Sequence, residues 1–264
     1  MNYKKILITG GSRGIGHALV QKLQNPVSEI HSVSRNLSVH SVSNHIQHQC
    51  DLSSINQTEV FLENFIKDHG VPDLLINNAG SGAFFEWGEF PTDEVERQIN
   101  LLFTVPILFS RNFAPLMAEE NKGTIVNISS LATLYPLPFM PLYNAGKTAL
   151  SSFTQSMMLE YQNHPKFIDF RLGDICSEFN NAQNKQSEGN WTEKMKSAWK
   201  QIEKQLLESP KPEIAALQVQ KIIAKEKSGV FYGGGFFQSK IAPRLRILLN
   251  QRGLLFLLHK RYFK

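Results

Sequence analysis

Tyr143 and Lys147 stand four residues apart, and Ser130 lies thirteen residues before the tyrosine. Four residues is about one helical turn, so a helix here projects both side chains from one face. A free tyrosine titrates near pKa ~10 and is a poor acid or base at neutral pH. An ammonium about 4 Å from the phenolate, at an effective dielectric of about 20, is worth roughly 4 kcal/mol, or about three pK units. Such a shift would make the phenol usable for proton transfer under neutral conditions. A serine beside it can hydrogen-bond a carbonyl oxygen and orient it. These are the parts needed to reduce a ketone or oxidise an alcohol, provided a hydride carrier sits alongside. On its own the pair is also an ordinary helix-surface pattern, so its weight comes from the elements that must position it.

The N-terminus supplies a site for such a carrier. Lys4-Lys5-Ile6-Leu7-Ile8 is a short apolar run of the kind that forms a buried parallel strand. It leads directly into Thr9-Gly10-Gly11-Ser12-Arg13-Gly14-Ile15-Gly16, and His17 to Leu23 then follows helical spacing, with Ala18, Leu19 and Leu23 on one side. Glycines between a strand and a helix N-terminus let backbone approach a pyrophosphate, which the helix dipole and free N–H groups hold.

Thr-Gly-x-x-x-Gly-x-Gly, Asn77-Asn78-Ala79-Gly80, a serine thirteen residues before tyrosine, and Tyr-x-x-x-Lys occur here in one order. Together they resemble the short-chain dehydrogenase/reductase family over roughly residues 4 to 235. The resemblance implies a single Rossmann-type domain, a nicotinamide cofactor, and Ser130, Tyr143 and Lys147 as catalytic residues. It adds Asn100, in Gln98-Ile99-Asn100-Leu101-Leu102, as a fourth. Cofactor contacts implied by the match are Gly10, Ser12, Arg13, Gly14, Ile15 and Gly16 in the loop, Asn78, Ala79 and Gly80 after the fourth strand, Asp51 and Leu52 on the adenine side, Tyr143 and Lys147 at the ribose, and Ile175. No residue is assigned to a metal.

Strands are expected near 4–9, 29–34, 46–50, 72–77, 123–129, 167–172 and 229–233, and helices near 14–24, 55–69, 92–119, 142–163, 191–207 and 212–226. Alternation of this kind predicts an α/β fold, a doubly wound parallel sheet of about seven strands covered on both faces. Ligands collect at the carboxyl ends of such strands. Only about ten residues, Asn36 to His45, join the second and third strands. A loop or single turn is expected there in place of the family's usual helix, leaving one sheet face partly bare. After the second strand comes Ser34-Arg35-Asn36, where an NAD enzyme would usually carry an acid for the ribose 2′-OH. Ser34 and Arg35, with Arg13 as a second cation, suit a 2′-phosphate, so NADP(H) is expected over NAD(H).

The chain has 264 residues, net charge +5 and two cysteines, Cys50 and Cys176. That length suits one doubly wound domain. Two cysteines are too few for a disulfide scaffold and point to free thiols in a reducing compartment. Met1-Asn2-Tyr3 leads straight into the first strand, so no signal peptide and a cytoplasmic location are expected. No apolar run approaches a membrane span. The mild positive charge suits an anionic cofactor and does not argue for nucleic acid.

The substrate end is less legible. Phe84, Phe85, Trp87 and Phe90, with Leu134, Tyr135, Phe139 and Met140, either line a pocket for an apolar substrate or pack loops onto the core. A lid is expected over about 174–209, where Met195, Trp199, Ile202 and Leu206 recur at helical spacing. Leu172-Gly173 stands where the family usually has Pro-Gly. Beyond residues 1–238 the chain adds 239–264, which mixes leucines with Arg244, Arg246, Arg252, Lys260, Arg261 and Lys264. This tail is expected to dock over the lid or on a partner subunit, burying Leu248, Leu249, Leu254 and Leu257. The rival is a basic amphipathic segment lying on an anionic membrane. The family implies a homo-oligomer, dimer or tetramer. Two function classes follow: an NADP(H)-dependent oxidoreductase acting on a small-molecule carbonyl or alcohol (a 3-oxoacyl group, another ketone or an aldehyde), and a cofactor-sensing or scaffolding protein on the same fold.

Overall fold

The computed structural model describes residues 3–39, 43–177 and 184–263. It opens with β1 (Lys5–Thr9), α1 (Gly14–Leu23), β2 (Glu29–Ser34), β3 (His45–Gln49), α2 (Ile55–His69) and β4 (Leu74–Asn77). A two-residue strand, β5 (Ala83–Phe84), precedes α3 (Thr92–Ile99), which runs through a π-turn (Asn100–Thr104) into α4 (Val105–Glu119). Then come β6 (Thr124–Ser130), α5 (Pro141–Glu160), β7 (Lys166–Leu172), the short β8 (Asn184–Lys185), α6 (Glu193–Leu207), α7 (Pro212–Ile223) and β9 (Gly229–Gly233). The tail forms α8 (Ala242–Leu248) and α9 (Gln251–Tyr262).

Seven strands pair in the order β3-β2-β1-β4-β6-β7-β9, and every pairing is parallel. The order reverses between β1 and β4, so the crevice at their carboxyl ends is where such a sheet takes a ligand. Strand side chains alternate between faces. Ile6, Ile8, Ile30, Leu74 and Ile76 join Ala18 and Leu19 of α1 and Ala215 and Val219 of α7 in one apolar layer. Leu7, Val33, Leu75 and Ile125 join Leu62 and Phe65 of α2 and Phe109 and Phe113 of α4 in the other. The stretch Thr92–Glu119 is long and apolar enough to cross a membrane by composition. Here Phe109, Phe113 and Met117 instead fill the core.

The expected single helix over 92–119 carries a π-turn in its middle. The described residues between β2 and β3, 35–39 and 43–44, hold no helix, as the short Ser/His-rich connection requires; 40–42 lie outside the described residues. β5 and β8 form a small parallel sheet of their own that sequence alone did not reveal, since two residues carry no periodicity.

Polar side chains dominate the side of α5 that meets the sheet, where Lys147, Ser151 and Thr154 are buried. Asn127 Nδ2 donates to Thr154 Oγ1 (2.8 Å), and Asn77 Nδ2 donates to Asn127 Oδ1 (2.7 Å). Ser151 Oγ donates to Asp169 Oδ2 (2.7 Å), Ser129 Oγ donates to Asp169 Oδ1, and Arg171 Nε donates to Asp169 Oδ2 (3.0 Å). Asp169 is fully buried and Arg171 only 13% exposed. Removing one member of such a pair strands the other charge in a low-dielectric interior. Asp169→Ala is therefore expected to cost about 3 kcal/mol or more in denaturant unfolding, against about 1 kcal/mol for Ser151→Ala. Equal and small losses for both would show that the network is not what secures α5.

Candidate functional site

The carboxyl ends of β1, β2, β3, β4, β6 and β7 build the site, together with helices that include α1, α5 and α6. At the end of β1, Thr9 Oγ1 accepts from the backbone N–H groups of Asn78 and Ala79, each at 3.0 Å. Asn78 Nδ2 returns to the carbonyls of Thr9 (2.9 Å) and Gly10 (3.1 Å). This clasp joins the glycine loop to the segment after β4. Gly10 has φ +74°, a backbone region glycine adopts freely. A Cβ on Gly16 would strike the Gly10 carbonyl, so the start of α1 packs directly on the loop. No side chain caps that helix, and its first N–H groups face the loop as an anion site. The cradle therefore fits a dinucleotide pyrophosphate.

One cleft of about 560 Å³ runs from this loop to α5. Its outer end is lined by Ser12, Arg13, Gly14 and Ile15, by Ser34 and Arg35 after β2, and by Asp51 and Leu52 after β3. Ser53 donates to Asp51 Oδ1 from both N–H (3.0 Å) and Oγ (2.7 Å). Burial works to raise the Asp51 carboxyl, but these bonds and the charges of Arg35 and Arg97 hold it below its ordinary value. Asn78, Ala79 and Gly80 form the middle, and Ser130, Tyr143, Lys147 and Ile175 the inner end.

Ser130 sits at the end of β6, where its Oγ accepts from the Ala132 N–H (3.1 Å) and leaves its own proton to donate. Lys147 is 5% exposed, and its ammonium donates to the Ile128 carbonyl (2.7 Å). Burial pulls Lys147 down to about 8, with the Asp169 carboxylate pushing the other way. Burial likewise pushes the Tyr143 phenol above its ordinary value; its hydrogen bond with Ser130 lowers it, and the nearby Asp174 carboxylate raises it. The direction is opposite to the depression that one-turn spacing from Lys147 suggested. Desolvation is the largest influence on the phenol, and the Lys147 ammonium donates to the Ile128 carbonyl.

Every residue expected in the site lines this cleft except Asn100. Asn100 opens the π-turn, and its Nδ2 donates to the Ser53 carbonyl (3.2 Å), tying the long helix to the loop after β3. Of the two readings of the aromatic segments, the packing one holds for Phe84 and Phe139. Phe84 is fully buried among Phe139, Trp191 and Trp199, so these rings pack loop to lid. Trp87 is 64% exposed. The inner wall is aliphatic instead: Leu137, Met140, Leu172, Ile202 and Leu206. Ile202 and Leu206 come from α6, the expected lid helix; residues 178–183 of that lid lie outside the described residues.

Asp174 escaped sequence reading. It lines the cleft beside Tyr143, and Gln238 of the segment after β9 grips it twice: Nε2 donates to Oδ2 (2.6 Å), and Oε1 accepts from the Asp174 N–H (3.1 Å). Burial pushes its carboxyl up, opposed by Gln238 and by the charge of Arg261. A Cβ on Gly173 would collide with the Gln238 amide, so glycine admits the grip. A carboxylate directly after a strand-end glycine was the signal available. Arg97 was also missed; it lines the cleft, with Nε and Nη2 each 2.6 Å from Glu94 and Nη2 3.0 Å from Ser81 Oγ.

Known proteins share this fold. The short chain dehydrogenase family model matches residues 4–187, and the chain belongs to that family of oxidoreductases. It is 26% identical to a 3-ketodihydrosphingosine reductase of Bacteroides thetaiotaomicron, over 92% of this chain and 89% of that one. An uncharacterised oxidoreductase of Schizosaccharomyces pombe is 31% identical over 60% of this chain, a match spanning 55% of that protein's length. In fold, a short-chain dehydrogenase from Streptomyces avermitilis superposes with TM-score 0.80 at 20% identity, covering 98% of this chain and 97% of that one. Members solved with NADH and with NADP show that the family takes a nicotinamide cofactor.

Proposed function

We propose that the protein interconverts a carbonyl and an alcohol using NADP(H), with Tyr143 as the acid or base. The observation that carries this reading is the convergence of Ser130, Tyr143 and Lys147 at the inner end of a cleft whose outer end is the glycine loop. The bound nicotinamide supplies the hydride to the carbonyl carbon, or accepts it in the reverse direction. During reduction Tyr143 gives its proton to the substrate oxygen, and the Ser130 hydroxyl donates to the same oxygen and fixes its position. The Lys147 ammonium favours the phenolate left behind. A phenol raised by burial stays protonated at ordinary pH, which suits it to the acid role; the oxidation direction needs the phenolate and is favoured as pH rises.

Ser34, Arg35 and Arg13 at the adenosine end, with no acid directly after β2, support NADP(H) over NAD(H). The aliphatic inner wall supports a substrate with an apolar portion, such as a 3-oxoacyl chain or another apolar ketone or aldehyde. Exposed Ile99 (45%) and Leu159 (79%) on the long helices support a homo-oligomer.

Tyr143→Phe should lower kcat at least about 10²-fold with cofactor binding intact. Near-wild-type turnover by that variant would refute the assignment, and no NADPH oxidation with any of a panel of ketones, aldehydes and 3-oxoacyl thioesters would leave the cofactor-sensing reading. Arg35→Asp should weaken NADPH binding by about 3 kcal/mol, because a charge-assisted bond is lost and a repulsion added. NADH binding should change far less; equal dissociation constants for the two cofactors in the unmutated protein contradict the preference. Asp174→Asn removes a negative charge that favours the neutral phenol. The alkaline limb of kcat/KM for reduction should therefore move to lower pH, since the proton needed is lost as pH rises through the phenol pKa. An unmoved limb would mean that Asp174 does not set this titration.

A further inference from the structure

The whole positive charge of this protein resides in its last segment. Eight basic residues and no acidic one follow Glu226. Residues 1–226 hold the other 20 cations against all 23 acids, a net of −3. The same segment carries much of the exposed apolar surface: Ile247 (84%), Leu248 (80%), Phe236 (76%) and Phe256 (67%).

The tail is nevertheless fixed in place. Tyr135 Oη donates to the Ala242 carbonyl (2.6 Å), and Ser197 Oγ of α6 donates to the Tyr262 carbonyl (2.8 Å). Leu254 and Tyr262 are buried, and Tyr262 with Leu258 packs against Met195, Trp199 and Ile202. The expected docking over the lid is thus what the chain does with one face of α9. The expected burial of Leu248 and Leu257 is corrected, since they are 80% and 50% exposed, while Leu254 is buried and Leu249 half-buried. At about 100° per residue, Phe256 and Lys260 lie roughly 200° round from Leu254 and Leu258, on the outer face of α9. On α8, Arg244, Ile247 and Leu248 similarly lie opposite the buried Ala242.

From this we propose that the outer face of α8 and α9 docks on an anionic lipid surface. Apolar side chains on short helices, flanked by lysines and arginines, match a headgroup boundary in shape and sign. At 12 residues α9 is about 18 Å long, too short to span a bilayer but suited to lie along one. A second copy meeting this face about a two-fold axis would set cations on cations, with no acid in the segment to pair them. The proposal does not depend on the reaction assigned above.

The test is flotation of the full chain with vesicles of phosphatidylcholine alone and of phosphatidylcholine mixed with phosphatidylglycerol. Binding is expected to the mixed vesicles, about tenfold or more weaker to neutral ones, and weakened by salt. A triple variant, Ile247→Ser with Leu248→Ser and Phe256→Ser, and a second, Arg244→Glu with Arg252→Glu and Lys260→Glu, should each lose at least about tenfold in binding. All six side chains point away from the core, so Tm should hold for both. Failure of the full chain to bind mixed vesicles overturns the proposal, as does binding that neither variant changes. A full chain that ignores vesicles, but whose oligomer the serine variant splits, assigns the face to a second copy instead.

Discussion

Helix α5 has to be set on the sheet by direction as well as by contact, because Tyr143 and Lys147 must meet the end of β6 at one rotation and one height. An apolar seam would tolerate a small slide or roll, since dispersion contacts have little angular preference. The buried face of α5 is polar instead. Thr154 meets Asn127, Ser151 meets Asp169, and Lys147 meets the Ile128 carbonyl, one bond for about every turn. Each bond has a narrow geometry and a large cost when broken in the interior. Gly146 brings the helix close on another side, where a Cβ would press on Leu102. The placement of Tyr143 and Lys147 is thus inherited from Asn127, Ser151, Thr154 and Asp169.

Burial that secures this placement also sets the proton affinities. Lys147 is pulled down to about 8 and Tyr143 pushed up, both by desolvation, so the two groups are driven apart on the pH scale and burial favours the neutral form of each. Asp169 acts on the first and Asp174 on the second. Asp169 supports the ammonium through the polar seam, and Asp174 opposes ionisation of the phenol. A buried carboxylate, Asp169, and a half-buried one, Asp174, therefore shape the electrostatics of Lys147 and Tyr143.

The cofactor end was legible in the sequence because its demands are local. A strand, a loop of glycines and a helix follow one another without interruption, and Arg35 needs only to follow β2. The substrate end is made by segments far apart in the chain, and there the reading faltered. Phe84 and Phe139 are as aromatic as a binding wall would be, yet they serve the lid, because nothing in their spacing says which partner they meet. Asn100 matches its motif while its amide turns to Ser53. Asp174 was overlooked because its significance depends on Tyr143 and Gln238, brought together only by the fold. In the tail, leucines that pack and leucines that face outward alternate too irregularly to be sorted by period alone.

Gly173 and Gln238 lie 65 positions apart and occupy one volume. While the Gln238 amide reaches the end of β7, position 173 admits no side chain, and the backbone there is held to Asp174 by the same amide. A side chain at 173 therefore requires the Gln238 amide to swing away and give up its hold on Asp174. The two positions are coupled, so a change in this wall of the cleft is felt in the segment after β9.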